Sequence, residues 1–133
     1  MLLKIAPDLS ETELDAIADV LLAAKVDGVI CTNTTIDHSS VASDPHGNET
    51  GGLSGKPLFE RSTSVLRGMR QRVGNQLGIV GVGGILDGSD AAEKMSAGAS
   101  LVQLYSGMVY RGPALIAECV NEIRRQQENI HAA

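Results

Sequence analysis

Short apolar runs alternate with longer amphipathic stretches four times along the chain. The first run, 2–6, is followed by Ser10 with Glu13 three residues on, the spacing of a capping box. Leu14, Ile17, Ala18, Leu21 and Leu22 then recur at intervals that place them on one face of a helix. Further runs at 28–32, 78–82 and 100–105 are almost continuously apolar, the signature of parallel strands buried by covering helices. Helices are predicted over 58–73, 89–97 and 113–127, with Gly98 stopping the second of these. The last carries Ile116, Cys119, Val120 and Ile123 at i, i+3, i+4 and i+7, and the polar tail from Arg124 to Ala133 is expected to fray. Four βα units predict an α/β fold with parallel strands. Periodicity leaves open whether they form an open sheet with helices on both faces or half of an eight-stranded barrel.

One segment breaks the rhythm. Residues 33–57 are rich in Asp, His, Ser, Gly and Asn and exceed the usual strand-to-helix connection. They follow a strand, so they project from the strands' C-terminal ends, where parallel α/β proteins hold ligands. Candidate chemistry collects at that end. Strand alternation sets Lys4 opposite Leu3 and Ile5, so Lys4 enters the interior if those two meet the helices. An edge strand with Lys4 in solvent is the other reading, and both stand open. Gly81-Val82-Gly83-Gly84-Ile85 follows the third strand and precedes a helix start at Asp87 and Ser89, a loop whose amides suit an anion such as a phosphate. Glycines in a merely tight turn would look the same. A second such turn, Tyr105-Ser106-Gly107, follows the fourth strand. Adjacent turns of this kind build the phosphate site after strands seven and eight of many barrels. Thr32, Asn33 and Thr34 either offer hydrogen bonds to a ligand or simply end the second strand. Gln103 reads as an inward amide with a structural hydrogen bond.

Composition removes several classes. With 133 residues there is room for one domain, 1–133, and 43% hydrophobic residues supply its core. A net charge of -5 argues against a nucleic-acid partner. No Trp, one Phe and two Tyr leave little for base stacking. Cys31 and Cys119 match no metal spacing, no metal site is expected, and His38, His46 and His131 are read as solvated.

Taken in order, five strings carry a resemblance: Lys4-Ile5-Ala6-Pro7-Asp8-Leu9, Thr32-Asn33-Thr34-Thr35, Glu49-Thr50-Gly51-Gly52-Leu53-Ser54-Gly55-Lys56-Pro57-Leu58, Gly81-Val82-Gly83-Gly84-Ile85, and Ala97-Gly98-Ala99-Ser100-Leu101-Val102-Gln103-Leu104-Tyr105. Their residues and spacing closely resemble the quinone-dependent (class 2) dihydroorotate dehydrogenases, from Leu3 to about Ile123. The resemblance implies a (βα)4 half of a TIM barrel, strands five to eight, with the N-terminal half absent. It implies FMN as cofactor, with Lys4 near the flavin N1 and C2 carbonyl, and Thr32, Gly55, Gly84, Tyr105 and Ser106 as further contacts, the last three around the phosphate. Asn33 and Thr34 would hydrogen-bond the pyrimidine.

In the family reaction a serine base takes a proton from C5 of dihydroorotate, C6 gives a hydride to flavin N5, and quinone reoxidises the flavin. The product, orotate, is an intermediate of pyrimidine (UMP) biosynthesis. The strings include no equivalent of the serine base, and Ser39, Ser40 and Ser54 do not occupy its position. No catalytic residue is therefore assigned, and the isolated chain is expected to be inactive. Quinone and the membrane, bacterial cytoplasmic or mitochondrial inner, would be met by the absent N-terminal region, and this portion is expected to be soluble alone. A second reading is a non-catalytic flavin- or phosphate-binding half-barrel that self-associates through its edges. A third, another phosphate-binding barrel enzyme, is disfavoured by the string from Glu49 to Leu58.

Overall fold

The computed structural model describes residues 1–131, the last by its backbone alone. Four strands, β1 (Leu2–Ile5), β2 (Gly28–Cys31), β3 (Gly78–Val82) and β4 (Leu101–Gln103), form one sheet in sequential order, every pair parallel. Between them run α1 (Glu11–Ala23), α2 (Phe59–Val73) and α3 (Gly88–Ser96); α4 (Ser106–Arg111) and α5 (Ala114–His131) follow β4. Right-handed crossovers in a sequentially ordered parallel sheet put the connecting helices on one face.

That face is the core. In one row of the sheet Ile5, Val29, Cys31 and Ile79 are at most 5% exposed, packed against Leu14, Ala18, Leu21, Leu66, Met69 and Val73. Ser10 caps α1 with both capping-box hydrogen bonds, so its apolar stripe enters the sheet as predicted. The opposite row, Lys4 beside Ile30, Val80 and Leu101, has no helix over it; Leu101 is 65% exposed. The pattern is a one-sided half-barrel, and Lys4 lies on its open side.

Several boundaries differ from expectation. β1 stops before Ala6, β2 before Thr32, and β4 has three residues rather than six. The chain after β4 turns into α4, a six-residue helix too short to leave a periodic signal. The tail does not fray at Arg124: α5 continues to His131, with Gln126 Nε2 donating to Ser96 Oγ of α3 at 2.6 Å and Arg125 paired with Glu122. Ala132, Ala133 and the His131 side chain lie outside the described residues. Of the predicted α5 face, Cys119 is buried, but Ile116 and Val120 are 49% and 39% exposed. They line an apolar groove with Val102, Leu104 and Met108 beside the β4 edge, open among the described residues.

Candidate functional site

The C-terminal ends of the strands converge on one cavity of about 240 Å³. Lys4 from β1, Thr32, Asn33 and Thr34 after β2, Gly55 from the long loop, Gly84 after β3, and Tyr105 and Ser106 after β4 all line it. Every residue singled out as a site candidate is therefore on one wall system, although the contributing segments span most of the chain. The lining contains one cation, Lys4, and no carboxylate, in a chain of net charge -5.

Each part of the wall has a local cause. Asn33 N–H donates to Ile5 O at 2.7 Å and Thr32 N–H to Val82 O at 3.1 Å, so the end of β2 is pinned to both neighbours. Thr32 is 2% exposed and its hydroxyl donates to Asn33 O at 2.9 Å, which leaves its oxygen to accept. Asn33 Oδ1 accepts from Thr34 N–H at 3.0 Å, so the Asn33 side-chain amide is oriented to donate outward. Gly84 has φ +76°, and an added Cβ would lie 2.5–2.7 Å from Phe59 Cβ, Cα and N. Only glycine lets the β3 turn pass the start of α2 this closely. Ser54 Oγ and Ser106 Oγ are 3.0 Å apart and join the long loop to the β4 turn.

The long loop is organised rather than loose. Thr35 and Leu53 form an antiparallel bridge with N···O distances of 3.1 and 2.8 Å. Asp8 anchors it, accepting from the Thr35 hydroxyl at 2.5 Å, Ile36 N–H at 3.0 Å and Arg61 at 2.7 Å. Burial pushes the Asp8 carboxyl up, but those three donors outweigh it and hold the group below the usual carboxylate range. His38, read from sequence as solvated, is half-buried; its ring nitrogens lie 2.8 and 3.0 Å from Gly47 O and Gly51 O. His46 is exposed beside Glu49. Gln103 is another departure, because it is exposed on the open face and lines the cavity instead of being an enclosed amide.

Sequence reasoning missed the layer beneath the turn. Asp90, 6% exposed, accepts from Leu86 N–H at 2.9 Å and from Lys56 Nζ at 2.8 Å, tying the long loop to the β3 turn. The Asp90 hydrogen bond is the main cause that raises Lys56 above the ordinary lysine value. Lys94 is fully buried, its Nζ 2.6 Å from Ser62 Oγ, 2.8 Å from Thr63 Oγ1 and 3.4 Å from Phe59 O. A signal for it existed. Asp90 and Lys94 sit at i and i+4, beside Ala91 on the stripe of α3 that faces the sheet.

The lining, with one cation, a glycine turn and several hydrogen-bonding side chains, suits a polar, anion-bearing ligand. A glycine turn exposes backbone beside a helix start, Lys4 supplies positive charge, and Asn33, Thr34 and Ser106 offer hydrogen bonds. Among the described residues no cluster of three or more His, Cys, Asp or Glu could hold a metal. No helix among them is long and apolar enough to cross a membrane.

The family model for dihydroorotate dehydrogenase matches residues 1–126. A protein of Stenotrophomonas maltophilia (strain K279a), named dihydroorotate dehydrogenase (quinone), is 62% identical over 128 residues, 96% of this chain and 36% of that relative. One of the same name from Bordetella avium (strain 197N) is 56% identical over 124 residues, 93% of this chain and 36% of the relative. The crystal structure of DHODH in complex with ferulenol from Eimeria tenella superposes with a TM-score of 0.87 at 43% identity, covering 92% of this chain and 32% of that one. The chain thus spans about a third of the length of the relatives it matches.

Proposed function

The chain belongs to the dihydroorotate dehydrogenase family, and from that premise we propose that it supplies the flavin-phosphate half of an FMN site serving oxidation of dihydroorotate to orotate with quinone as acceptor. The observation that carries this reading is the carboxylate-free cavity in which all eight candidate residues meet. FMN bound there would supply two-electron redox chemistry. The chain's own residues would hold and polarise. Gly84, Tyr105 and Ser106 fit around a phosphate, with Gly55 and Thr32 against the rest of the cofactor. Lys4 sets a fixed positive charge where negative charge accumulates during hydride transfer, a preorganised electrostatic contribution. Asn33, its side chain aligned by Thr34 N–H, donates to a pyrimidine oxygen, and Thr34 adds a second hydrogen bond.

No serine of the cavity is assigned as the base that removes the C5 proton. On this reading that group, with the contacts to quinone and membrane, would come from the length of the relatives that this chain does not span. The test is complementation. The chain is co-expressed with the portion of the Stenotrophomonas maltophilia relative that precedes the matched region, and both FMN content and dihydroorotate-dependent quinone reduction are measured. The reading predicts flavin and turnover in the complemented protein and no turnover by the chain alone. A folded complex without FMN would overturn it. The alternative, a non-catalytic self-associating flavin binder, predicts FMN retention with no turnover even after complementation.

A further inference from the structure

We propose that Lys94 is a positioning residue for the β3 turn: its buried ammonium directs the Ser62 hydroxyl onto the Gly83 carbonyl and so holds the Gly83–Gly84 backbone in shape to receive a phosphoryl group. The ligand class rests on the function proposed above, whereas the relay itself is independent of it.

Two carbonyls compete for the Ser62 proton, and the groups around them favour one. Lys94 has three N–H donors and three oxygens within reach: Ser62 Oγ, Thr63 Oγ1 and Phe59 O. Thr63 donates to Phe59 O at 2.7 Å. Ser62 Oγ lies 3.0 Å from Phe59 O and 3.2 Å from Gly83 O. Phe59 O already accepts from Thr63 and faces the ammonium, which favours Gly83 O, otherwise the more distant acceptor, for the Ser62 proton. Without the ammonium, Ser62 is free to turn to the nearer carbonyl, and the turn loses its tie. Gly83 is tightly seated here: an added Cβ would meet Ser62 Oγ at 2.8 Å.

The cation also lacks an anion of its own. Its bonded partners are two hydroxyls and a carbonyl, and the Phe59 ring centroid lies 4.7 Å from Nζ. Asp90 is bound to Lys56 and Leu86 N–H, not to Lys94. A buried charge whose direct partners are all dipoles, with Glu93, Asp90 and Glu60 acting on it only through space, leaves positive potential toward the turn above it, where a phosphate would add to the neutralisation. Burial pushes Lys94 down to about 8, against the pull of Glu93 and Asp90 on α3, Cys31 on β2 and Glu60 on α2. Burial also raises Cys31 to about 12, so of the groups facing the ammonium the thiol stays neutral while Lys94 titrates.

The experiment uses the full 133-residue chain, FMN and riboflavin, which differs from FMN in lacking the phosphate. Amide exchange at Gly83, Gly84 and Ile85 is followed without ligand, and both affinities are measured by flavin fluorescence. In Lys94→Met and Ser62→Ala the three amides exchange faster, and the FMN-to-riboflavin affinity ratio falls about tenfold, the scale of one lost hydrogen bond to a charged network. Thr63→Ser, which keeps the hydroxyl on Lys94 and on Phe59 O and so leaves the relay to Gly83, keeps both readouts near wild type. In the unmutated chain the ratio falls as pH rises through about 8 and stays level in Lys94→Met. The phosphate itself, with its second ionisation near about pH 6, does not change over that range. Unchanged exchange in both relay variants, or a wild-type ratio flat across that pH, overturns the role of Lys94. If wild type binds FMN no better than riboflavin, the phosphate reading fails instead, and amide exchange alone then decides the relay.

Discussion

Two lysines stand in different layers of the candidate site, and their environments set what each charge can do. Lys4 stands on the open face of β1, so in the chain alone its charge costs little and attracts little. Once the remaining walls exclude water, the same ammonium acts in a medium where a preorganised charge is worth several kcal/mol. In the complemented enzyme Lys4→Ala should slow flavin reduction by about 100-fold while FMN affinity changes far less, because the proposed phosphate contacts lie elsewhere. Stopped-flow reduction at saturating dihydroorotate checks this, and near-equal rates would refute the electrostatic role. Lys94 bears its desolvation cost already. Its value is depressed by burial to about 8 from 10.5, so between those values the unfolded chain binds a proton that the folded chain has released. Stability from this group therefore rises as pH increases through that window, on the order of a few kcal/mol at most. Urea denaturation of wild type should show the rise and Lys94→Met should not. Phosphate affinity is predicted to move the opposite way over the same window, a combination that a generic loss of folding would not produce.

The elements were legible wherever packing repeats and illegible where it does not. Ser10 with Glu13, the α1 stripe and the residue range of β3 could be read directly, because capping and burial on one helix face leave periodic traces. The α4 helix, the short β4 and the anchored long loop could not. Their order comes from contacts distant in sequence, such as Thr35 with Asp8, Ser54 with Ser106 and Gln126 with Ser96. The Lys94 layer left only a faint trace, Asp90 and Lys94 on the Ala91 stripe of α3, because a lysine in an amphipathic helix reads as solvated until its hydroxyl partners on α2 are known. Turns and anchors make separate predictions. Gly84→Ala must place a methyl against Phe59 backbone at 2.6–2.7 Å with φ +76°, and neither neighbour can swing away. A loss of about 1–3 kcal/mol of stability is expected, with FMN affinity falling more than in Gly74→Ala, whose added Cβ meets nothing within 4 Å. Asp8→Ala should leave the sheet intact but accelerate amide exchange at Ile36, whose N–H loses its acceptor. Protection at Ile36 equal to wild type would show that the Thr35–Leu53 bridge holds the loop unaided.

At the scale of the whole molecule, the sheet is covered on one side and open on the other, with unpaired edges at β1 and β4. Leu2, Leu3 and Leu101 on these edge strands are 51%, 44% and 65% exposed. The groove of Val102, Leu104, Met108, Ile116 and Val120 adjoins the β4 edge. Parallel sheets are ordinarily buried on both faces, and unpaired strand edges are templates for pairing with another chain. The relatives, of which this chain spans about a third, have further chain that could cover these surfaces. Without it, a second copy offers the same apolar faces and strand edges, and a charge of -5 per chain provides only modest repulsion at physiological salt. We therefore expect the isolated chain to self-associate at concentrations of roughly tens of micromolar, as modest apolar interfaces do. Ile116→Glu puts a charge into the groove without touching the cavity, whose lining does not include it. Sedimentation velocity should show the wild type shifting to larger species with concentration and the variant shifting less. Adding the complementing portion should dissolve the self-associated species in favour of a one-to-one complex, because both edges and the groove then have partners. A wild-type chain that remains monomeric up to about a millimolar would mean that these edges and the groove are stable in water.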